Sequence, residues 1–445
     1  MKKVLIVASH FPPNATGGVM RVAKLVKYLG RYDWQAVVVT SSATTSSTEL
    51  NKDVSAVRAV YRLPALDIRK AFAFAKSTAQ WLKGIVKPKA ANKAVDSSQP
   101  NTAQAPVARR GSLAQRFCVP DYMFLWTPLA VLAGVYAVKK HKIDVIFSTS
   151  PLPSANSVSY WIKKLTGVRW VLDMRDPWTT NPMAEPRYNA FLSKMDQRLE
   201  RRALKSADDV VVVSEPFIDP ICERFTEVSR DKFHVIPNGF DPDDFINIEA
   251  KHFDKLTIAH CGSFYETRSA MPFLTALRVL LDKFPELEQQ LTVKFVGEAG
   301  VEASNGIKTL GLDNVVEKVG MVNHKTSLQY VAGADILLLV PGPGKSTMTG
   351  KVFEYLAVKK PILALAGEGA LRSLLSDSKT AVLVEPTDVA GIEAAIESFV
   401  QQYQQNGTIA LKDANYRQIE QQFCRRHTAQ RIAGLLDKHH SERQA

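Results

Sequence analysis

Short apolar runs of four to six residues, most of them followed by a stretch of helical periodicity, recur along nearly the whole chain. One series lies at residues 4–8, 36–40, 57–61, 144–148, 170–173, 210–214 and 233–236. A second lies at 257–261, 292–296, 315–319, 335–340, 361–365 and 381–384. Runs that are apolar throughout, rather than at alternate positions, belong to strands covered on both faces, and helices between consecutive strands make the sheets parallel. The sequence therefore predicts an α/β chain with two tandem doubly wound, Rossmann-like domains. The turn-rich Pro237-Asn238-Gly239-Phe240-Asp241 joins them, so the expected domains are 1–238 and 239–410, with a helical tail, 411–445, packing back on the first. Doubly wound sheets bind ligands at the carboxyl ends of their strands. Two such ends facing a central cleft would bring two substrates together.

The 445 residues suit two or three domains, and 46% apolar with 23% charged residues is ordinary for a soluble globular chain. Cys118, Cys222, Cys261 and Cys424 are widely spaced, which predicts neither a zinc site nor a disulfide scaffold. The opening MKKVLIVASHFPP has the basic head of a signal peptide, but its apolar run is too short; it reads as a first strand of a cytoplasmic protein.

Charge is distributed unevenly. Residues 1–120 hold 19 Lys and Arg against 5 Asp and Glu, a net of +14, so the remaining 38 basic and 39 acidic residues nearly cancel. Much of the excess lies in an insertion, 66–118, that interrupts the alternation. Its first part, 66–89, has the pattern of a basic amphipathic helix, suited either to an anionic membrane surface or to packing on its own domain. Its remainder is rich in Ala, Ser, Gln and Pro and lacks periodicity. The apolar stretch 124–138 is too short to span a bilayer and predicts a core helix.

The motifs cluster at expected strand ends. After the first strand come His10 and Gly17-Gly18, whose bare backbone can approach an anion or sugar or simply make a turn. WVLDMRDPW places Asp173, Arg175 and Asp176 at another strand end, either as site residues or as an internal Arg–Asp pair. Gly262-Ser263 and Arg268 follow the first strand of the second series; Arg268 could reach a phosphate. The run GKVFEYLAVKKPILA opens a helix near Thr349 and Gly350, with Lys351 beside its start and Glu354 in its second turn. That helix start suits a diphosphate, and Glu354 suits ribose hydroxyls or the helix dipole alone. Gly344-Lys345-Ser346-Thr347 is no P-loop, because Leu339 stands where a glycine is needed. Asp241-Pro242-Asp243 reads as turn chemistry, and no metal ligand set is expected.

In this order and spacing, HFPPNATGG, STSPLPSAN, WVLDMRDPW, VIPNGFDPDDF, IAHCGSFYETR, KFVGE, VGMVNHKTSLQYVAGADILLLV and KVFEYLAVKKPILA resemble the retaining GT-B glycosyltransferases of family 4 over nearly the whole chain. The family includes many enzymes of bacterial surface polysaccharide synthesis. The resemblance implies a nucleoside diphosphate sugar donor, a glycan acceptor such as a lipid-linked one, no resident cofactor and no metal. It implies donor contacts from Gly262, Ser263, Arg268, Thr349, Gly350, Lys351 and Glu354. Ser263 occupies the family's usual Arg position and Arg268 its Lys position, so Lys351 is the natural substitute for the lost charge. Ser346 stands where the family's first acid is expected, and Arg175-Asp176 replaces a His-Asp pair. Arg268, Lys351, Asp176 and His10 are the expected catalytic groups, with Gly17, Gly18 and Arg175 lining the acceptor side.

Two rival readings are a sugar-nucleotide epimerase of the same shape, which needs no acceptor, and a basic module binding membrane or nucleic acid. The second leaves Arg268, Glu354 and a whole domain without a role; no nucleic-acid partner is expected. A cytoplasmic protein, peripheral on the inner face of a membrane, is the expected setting.

Overall fold

The computed structural model describes every residue except 15–17, 43–49, 51, 66–116, 182–188, 266–267, 343–348, 412–413 and 445. Gly17, Ser346 and the amphipathic stretch 66–89 lie outside the described residues. By its contacts the chain divides into two units. The first comprises Met1–Val212, Ile218–His234 and Ala433–Ala445; the second comprises Val213–Phe217 and Val235–Ile432.

The first unit carries a seven-stranded sheet: β1 (Lys2–Ala8), β2 (Trp34–Ser41), β3 (Ala59–Leu63), β4 (Val145–Thr149), β5 (Arg169–Met174), β6 (Asp209–Val212) and β7 (Phe233–Val235), in the order β3-β2-β1-β4-β5-β6-β7. The second unit carries six strands: β8 (Leu256–Cys261), β9 (Leu291–Val296), β10 (Val316–Gly320), β11 (Ile336–Leu339), β12 (Ile362–Leu365) and β13 (Ala381–Val384), in the order β10-β9-β8-β11-β12-β13. Pairing from β1 to β6 and throughout the second sheet is parallel. The expected strands are all present, with ends shifted by a few residues. Each sheet reverses its winding beside its first strand, between β1 and β4 and between β8 and β11. At such a switch point the flanking loops part and leave a crevice.

Side-chain alternation explains why the strands are apolar throughout. In the second unit Ile258, Val293, Ile336, Leu338 and Leu363 join one core with Phe273, Leu277 and Phe399. Their neighbours Ala259, Leu337, Leu339 and Ile362 join another with Val331, Val352, Phe353 and Leu375. Neither face is free for function, so chemistry is confined to the strand ends.

The 124–138 stretch differs from its expectation as a core helix. A 3₁₀ turn, Phe124–Trp126, leads into the helix Thr127–His141, which buries only Ala130, Gly134, Ala137 and Val138. It packs through small residues, and its larger ones face solvent. Among the described residues no helix is long and apolar enough to cross a membrane.

The last helix, Arg425–Gln444, passes from the second unit into the first, where polar contacts hold it. Asp209, buried at the start of β6, accepts a hydrogen bond from His234 Nε2 at 2.7 Å and from His439, and lies 3.4 Å from Lys438 Nζ. Trp34 Nε1 donates to Asp437 at 2.9 Å, and Lys2 pairs with the same carboxylate. Burial pushes the Asp209 carboxyl up. The hydrogen bonds from His234 and His439, with the Lys438 charge, outweigh it and hold the carboxyl well below the usual range. Its stabilising effect is therefore complete above the ordinary carboxylate value of about 4 and is lost only as pH falls through the depressed one. Asp209→Asn should release the helix end at neutral pH. Hydrogen exchange across residues 433–441 should quicken, with a loss of about 3 kcal/mol in unfolding free energy; unchanged protection there would show that Asp209 does not anchor the helix.

Candidate functional site

In the second unit the expected donor residues gather at the β8/β11 switch point. Gly262 and Ser263 leave β8, while Gly342 leaves the end of β11 and the helix Gly350–Val358 follows. The β8 loop is clamped from the side. Gly262 N–H donates to Val296 O at 2.8 Å, Phe264 N–H to Glu298 O at 2.9 Å, and Glu298 N–H to Ser263 Oγ at 3.3 Å. Gly297 makes this clamp possible. Its φ is +132°, and an added Cβ would lie 2.3 Å from Gly262 O.

Arg268 reaches across the crevice from this loop. Its Nε lies 3.4 Å from where a Cβ on Gly342 would stand, and its guanidinium carbon sits 4.9 Å from the Tyr265 ring centre. Arg268 Nε is buried without a hydrogen-bond partner, and no carboxylate pairs with the side chain among the described residues. A half-buried guanidinium with a buried, unpartnered N–H favours an anion that would complete it.

His260, one residue before the end of β8, lies under the same loop. Nδ1 donates to Leu338 O at 2.9 Å, and the ring stacks on Phe264 with centres 4.2 Å apart. Burial, with the nearby Arg268 and Lys351 charges, pulls the imidazole down to about 4, so it is neutral at physiological pH. Nε2 is consequently an acceptor, buried and unpartnered beside Gly262. A neutral ring adds no second positive charge to repel the Arg268 guanidinium.

Thr349 is the N-cap residue of the next helix but makes no side-chain cap bond; its carbonyl accepts from Val352 N–H at 3.3 Å, and among the described residues no side chain caps the Gly350 and Lys351 amides. Lys351 Nζ donates to Glu354 Oε2 at 3.0 Å, and His324 Nε2 donates to Oε1 at 3.2 Å. Lys351 thus has a carboxylate on its own helix, which weakens its pull on an anion; Arg268 has none among the described residues. Burial pushes the Glu354 carboxyl up, but the His324 hydrogen bond and the Lys351 charge prevail and keep it below its ordinary value. The same hydrogen bond raises His324, opposed by burial and by Lys351 and helped by the Glu354 and Asp244 charges.

In the first unit, β5 ends in a different arrangement from the expected internal pair. Asp173 is held bidentately by Arg21, with Nε to Oδ2 at 3.0 Å and Nη2 to Oδ1 at 2.8 Å, and accepts from Thr149 Oγ1 at 2.7 Å. Arg175 instead donates from Nη1 to Gly18 O at 2.8 Å, strapping the β1 loop to the β5 end, and its Nε is buried without a partner. Burial, then the Arg21 charge, lowers its pKa. His10 is half-buried just past β1, and Asp176 is exposed beyond β5. The N-terminus of the helix Ser154–Thr166, after β4, is already filled: Asp121 accepts from Ser154 N–H at 2.7 Å and Ser154 Oγ at 2.6 Å. An internal carboxylate occupies the anion position here, in contrast to the helix start at Gly350, which no side chain caps among the described residues.

His260 and His324 carry no motif that marks them in the sequence. His260 hides within a buried strand, though its place at a strand end before Gly262 is a usable signal. His324 opens the helix His324–Gly333 soon after β10, where a polar residue looks like capping chemistry. Asp241 does act as a turn residue, accepting from Asp243 N–H at 3.0 Å. Among the described residues no three His, Cys, Asp or Glu side chains converge as a metal cluster would.

Residues 16–239 match the Glycosyl transferase 4-like domain, and residues 257–402 match Glycosyl transferases group 1. A curated relative, D-inositol 3-phosphate glycosyltransferase of Streptomyces avermitilis, is 25% identical over 219 residues, 45% of this chain; the match spans just under half (46%) of the relative's length. The crystal structure of Anabaena HepE in complex with UDP superposes with a TM-score of 0.64 at 16% identity, over 98% of this chain and all (100%) of that one. A putative UDP-N-acetylglucosamine 2-epimerase from Listeria monocytogenes gives 0.58 at 11% identity, over 99% of this chain and 98% of that one. These likenesses, with the two parallel sheets, make the fold GT-B.

Two outcomes test the site. Gly297→Ala should lower the second unit's stability toward urea by about 3 kcal/mol, because both its φ and the Gly262 carbonyl oppose a side chain; a neutral substitution would remove the clamp. The raised His324 value means that its pairing with Glu354 is complete below about pH 6.5 and is lost as pH rises through the folded value. The His324 ring proton should titrate by NMR above about 6.5, and Glu354→Gln should return it toward that value. An ordinary midpoint in the unsubstituted protein would contradict the pairing.

Proposed function

Because the chain belongs to the glycosyl transferase 4-like family, we propose that it moves a sugar from a nucleoside diphosphate sugar to a hydroxyl of a lipid-linked glycan. The setting is bacterial cell-surface polysaccharide synthesis, at the inner face of the membrane and with retention of configuration. The observation that carries this reading is the Arg268 guanidinium, without a carboxylate partner among the described residues, at a sheet switch point where a helix starts with no side-chain cap from Thr349. As the glycosidic bond breaks, the leaving diphosphate gains negative charge. A preorganised cation and first-turn amides at Gly350 and Lys351 stabilise that charge with no reorganisation at the moment of reaction.

Glu354 serves the donor ribose. Each of its oxygens already accepts one hydrogen bond, from Lys351 and His324, and keeps acceptor capacity for a hydroxyl. Holding it ionised makes it an acceptor only. Retention follows from a front-side reaction: the acceptor oxygen attacks from the face the phosphate leaves, and the departing phosphate oxygen takes the acceptor's proton. No protein carboxylate is needed as base, which accommodates Ser346. His10, Gly18, Arg175 and Asp176 of the first unit serve the acceptor. Uridine diphosphate sugars are the first donors to try, since the Anabaena neighbour was determined with UDP.

Thermal shift with a panel of nucleotide sugars should identify the donor, because a ligand of the folded state raises its melting temperature. Acceptor-dependent release of nucleoside diphosphate then measures transfer. Arg268→Ala should lose about 10²- to 10³-fold in kcat/KM while its melting temperature moves by less than about 2 °C. Lys351→Ala, whose charge Glu354 already shares, should lose less. Near-normal transfer by Arg268→Ala would refute the assignment, and isomerised sugar from donor alone would make the protein an epimerase.

A further inference from the structure

The Thr127–His141 helix and the turn before it expose Leu125, Leu129, Leu132 and Tyr136 at helical spacing, and the helix Ser154–Thr166 adds Trp161 and Leu165. Leu132 is 69% exposed and Leu165 61%, so the fold gains little from either. The two helices cross at Gly134, where an added Cβ would lie 2.2 Å from Ile162 Cδ1. Small residues take this inner side and the large ones are left outward. Single exposed leucines are common; six large apolar side chains on two packed helices are not.

Charge identifies what the face meets. Lys139, Lys140 and Lys142 lie at the end of the first helix and Lys163 and Lys164 near the end of the second; neither helix contains Asp or Glu. Lys163 pairs with Asp208, while Lys139, Lys140, Lys142 and Lys164 are exposed. Lys140 Nζ sits 5.2 Å from the Tyr136 ring centre and Lys164 Nζ 5.0 Å from that of Trp161. Stems laid along apolar surface, with ammonium groups at its edge, suit a boundary that is apolar within and anionic at its rim. Other occupants fail on charge. A second copy of this face would set lysine against lysine, and the stretch 66–116, with 10 basic and 2 acidic residues, would do the same.

We infer that these two helices dock the protein on an anionic lipid surface, with the leucines at the acyl boundary, Tyr136 and Trp161 at headgroup level and the lysines on lipid phosphates. Its purpose rests on the reading of a lipid-linked acceptor, while the surface itself is carried by separate observations. Co-sedimentation of the full chain with phosphatidylcholine vesicles, with and without phosphatidylglycerol, tests it. Binding should require phosphatidylglycerol. Leu132→Glu with Trp161→Glu should weaken it by more than about tenfold, and Lys140→Glu with Lys164→Glu by at least about fivefold per lysine. Both double variants should keep the parent's melting temperature and its turnover with a short, water-soluble acceptor. Parental binding by both, or no vesicle binding by the parent, would overturn the assignment. So would a parent dimer dispersed by Leu132→Glu, which would give the face to a second copy. Loss of transfer with vesicle binding intact would instead count against the enzymatic reading alone.

Discussion

Covering both faces of a parallel sheet leaves an α/β protein nowhere to do chemistry except its strand ends, and every functional feature of this chain follows from that. In the second sheet Ile258 and Leu338 point into one core and Ala259 and Leu339 into the other. The polar groups that matter begin where those strands stop. The winding reverses between β8 and β11, so the loops after these strands diverge, and Arg268 and the Gly350–Val358 helix start stand on opposite sides of the opening. The clamp from Gly297 and Glu298 then fixes the β8 loop, so that a guanidinium can be held in place before any ligand arrives.

The cations of this site are not equivalent, and geometry decides between them. Lys351 lies nearest the helix start, yet its ammonium is 3.0 Å from Glu354 and contributes mainly to keeping that carboxyl ionised. Arg268 lacks such a partner among the described residues, and its planar fork is weakly hydrated and suited to phosphate oxygens. His260 completes the electrostatics by being neutral: a charged ring beside Arg268 would repel the guanidinium. Its Nδ1 bond to Leu338 O fixes the tautomer, leaving Nε2 as an acceptor.

How far the sequence could be read depended on which physical signal each element carries. Strands such as β11 were legible because an apolar run of that length, between helical patterns, is too short for a helix and too apolar for a surface loop. Glu354 and Lys351 were legible because a charged pair at the opening of a helix, after a buried strand, is conspicuous. His260 was not, since a histidine inside a buried run looks like core, and its unpartnered nitrogen exists only once Leu338 O is in place. Of the two readings of WVLDMRDPW, an internal Arg–Asp pair does hold β5, but Arg21, far away in sequence, takes Asp173. Pairings of that separation leave no local trace. The Thr127–His141 helix misled for a different reason. Its mean apolarity suggests burial, whereas Gly134 and the alanines show that the inner side is the small one.

The two units also treat helix N-termini differently, and the contrast bears on where phosphate can bind. Asp121 places a carboxylate on the amide and hydroxyl of Ser154, and a second anion there would meet a like charge at hydrogen-bond distance. Among the described residues no equivalent side chain satisfies the start at Gly350. A diphosphate offered both positions gains amide hydrogen bonds at one and repulsion at the other. The same logic separates the lysines at the ends of the Thr127–His141 and Ser154–Thr166 helices from the reaction: they stand around large apolar side chains. Cations on an apolar surface attract anions that carry an apolar body, which a lipid has and a nucleotide sugar lacks.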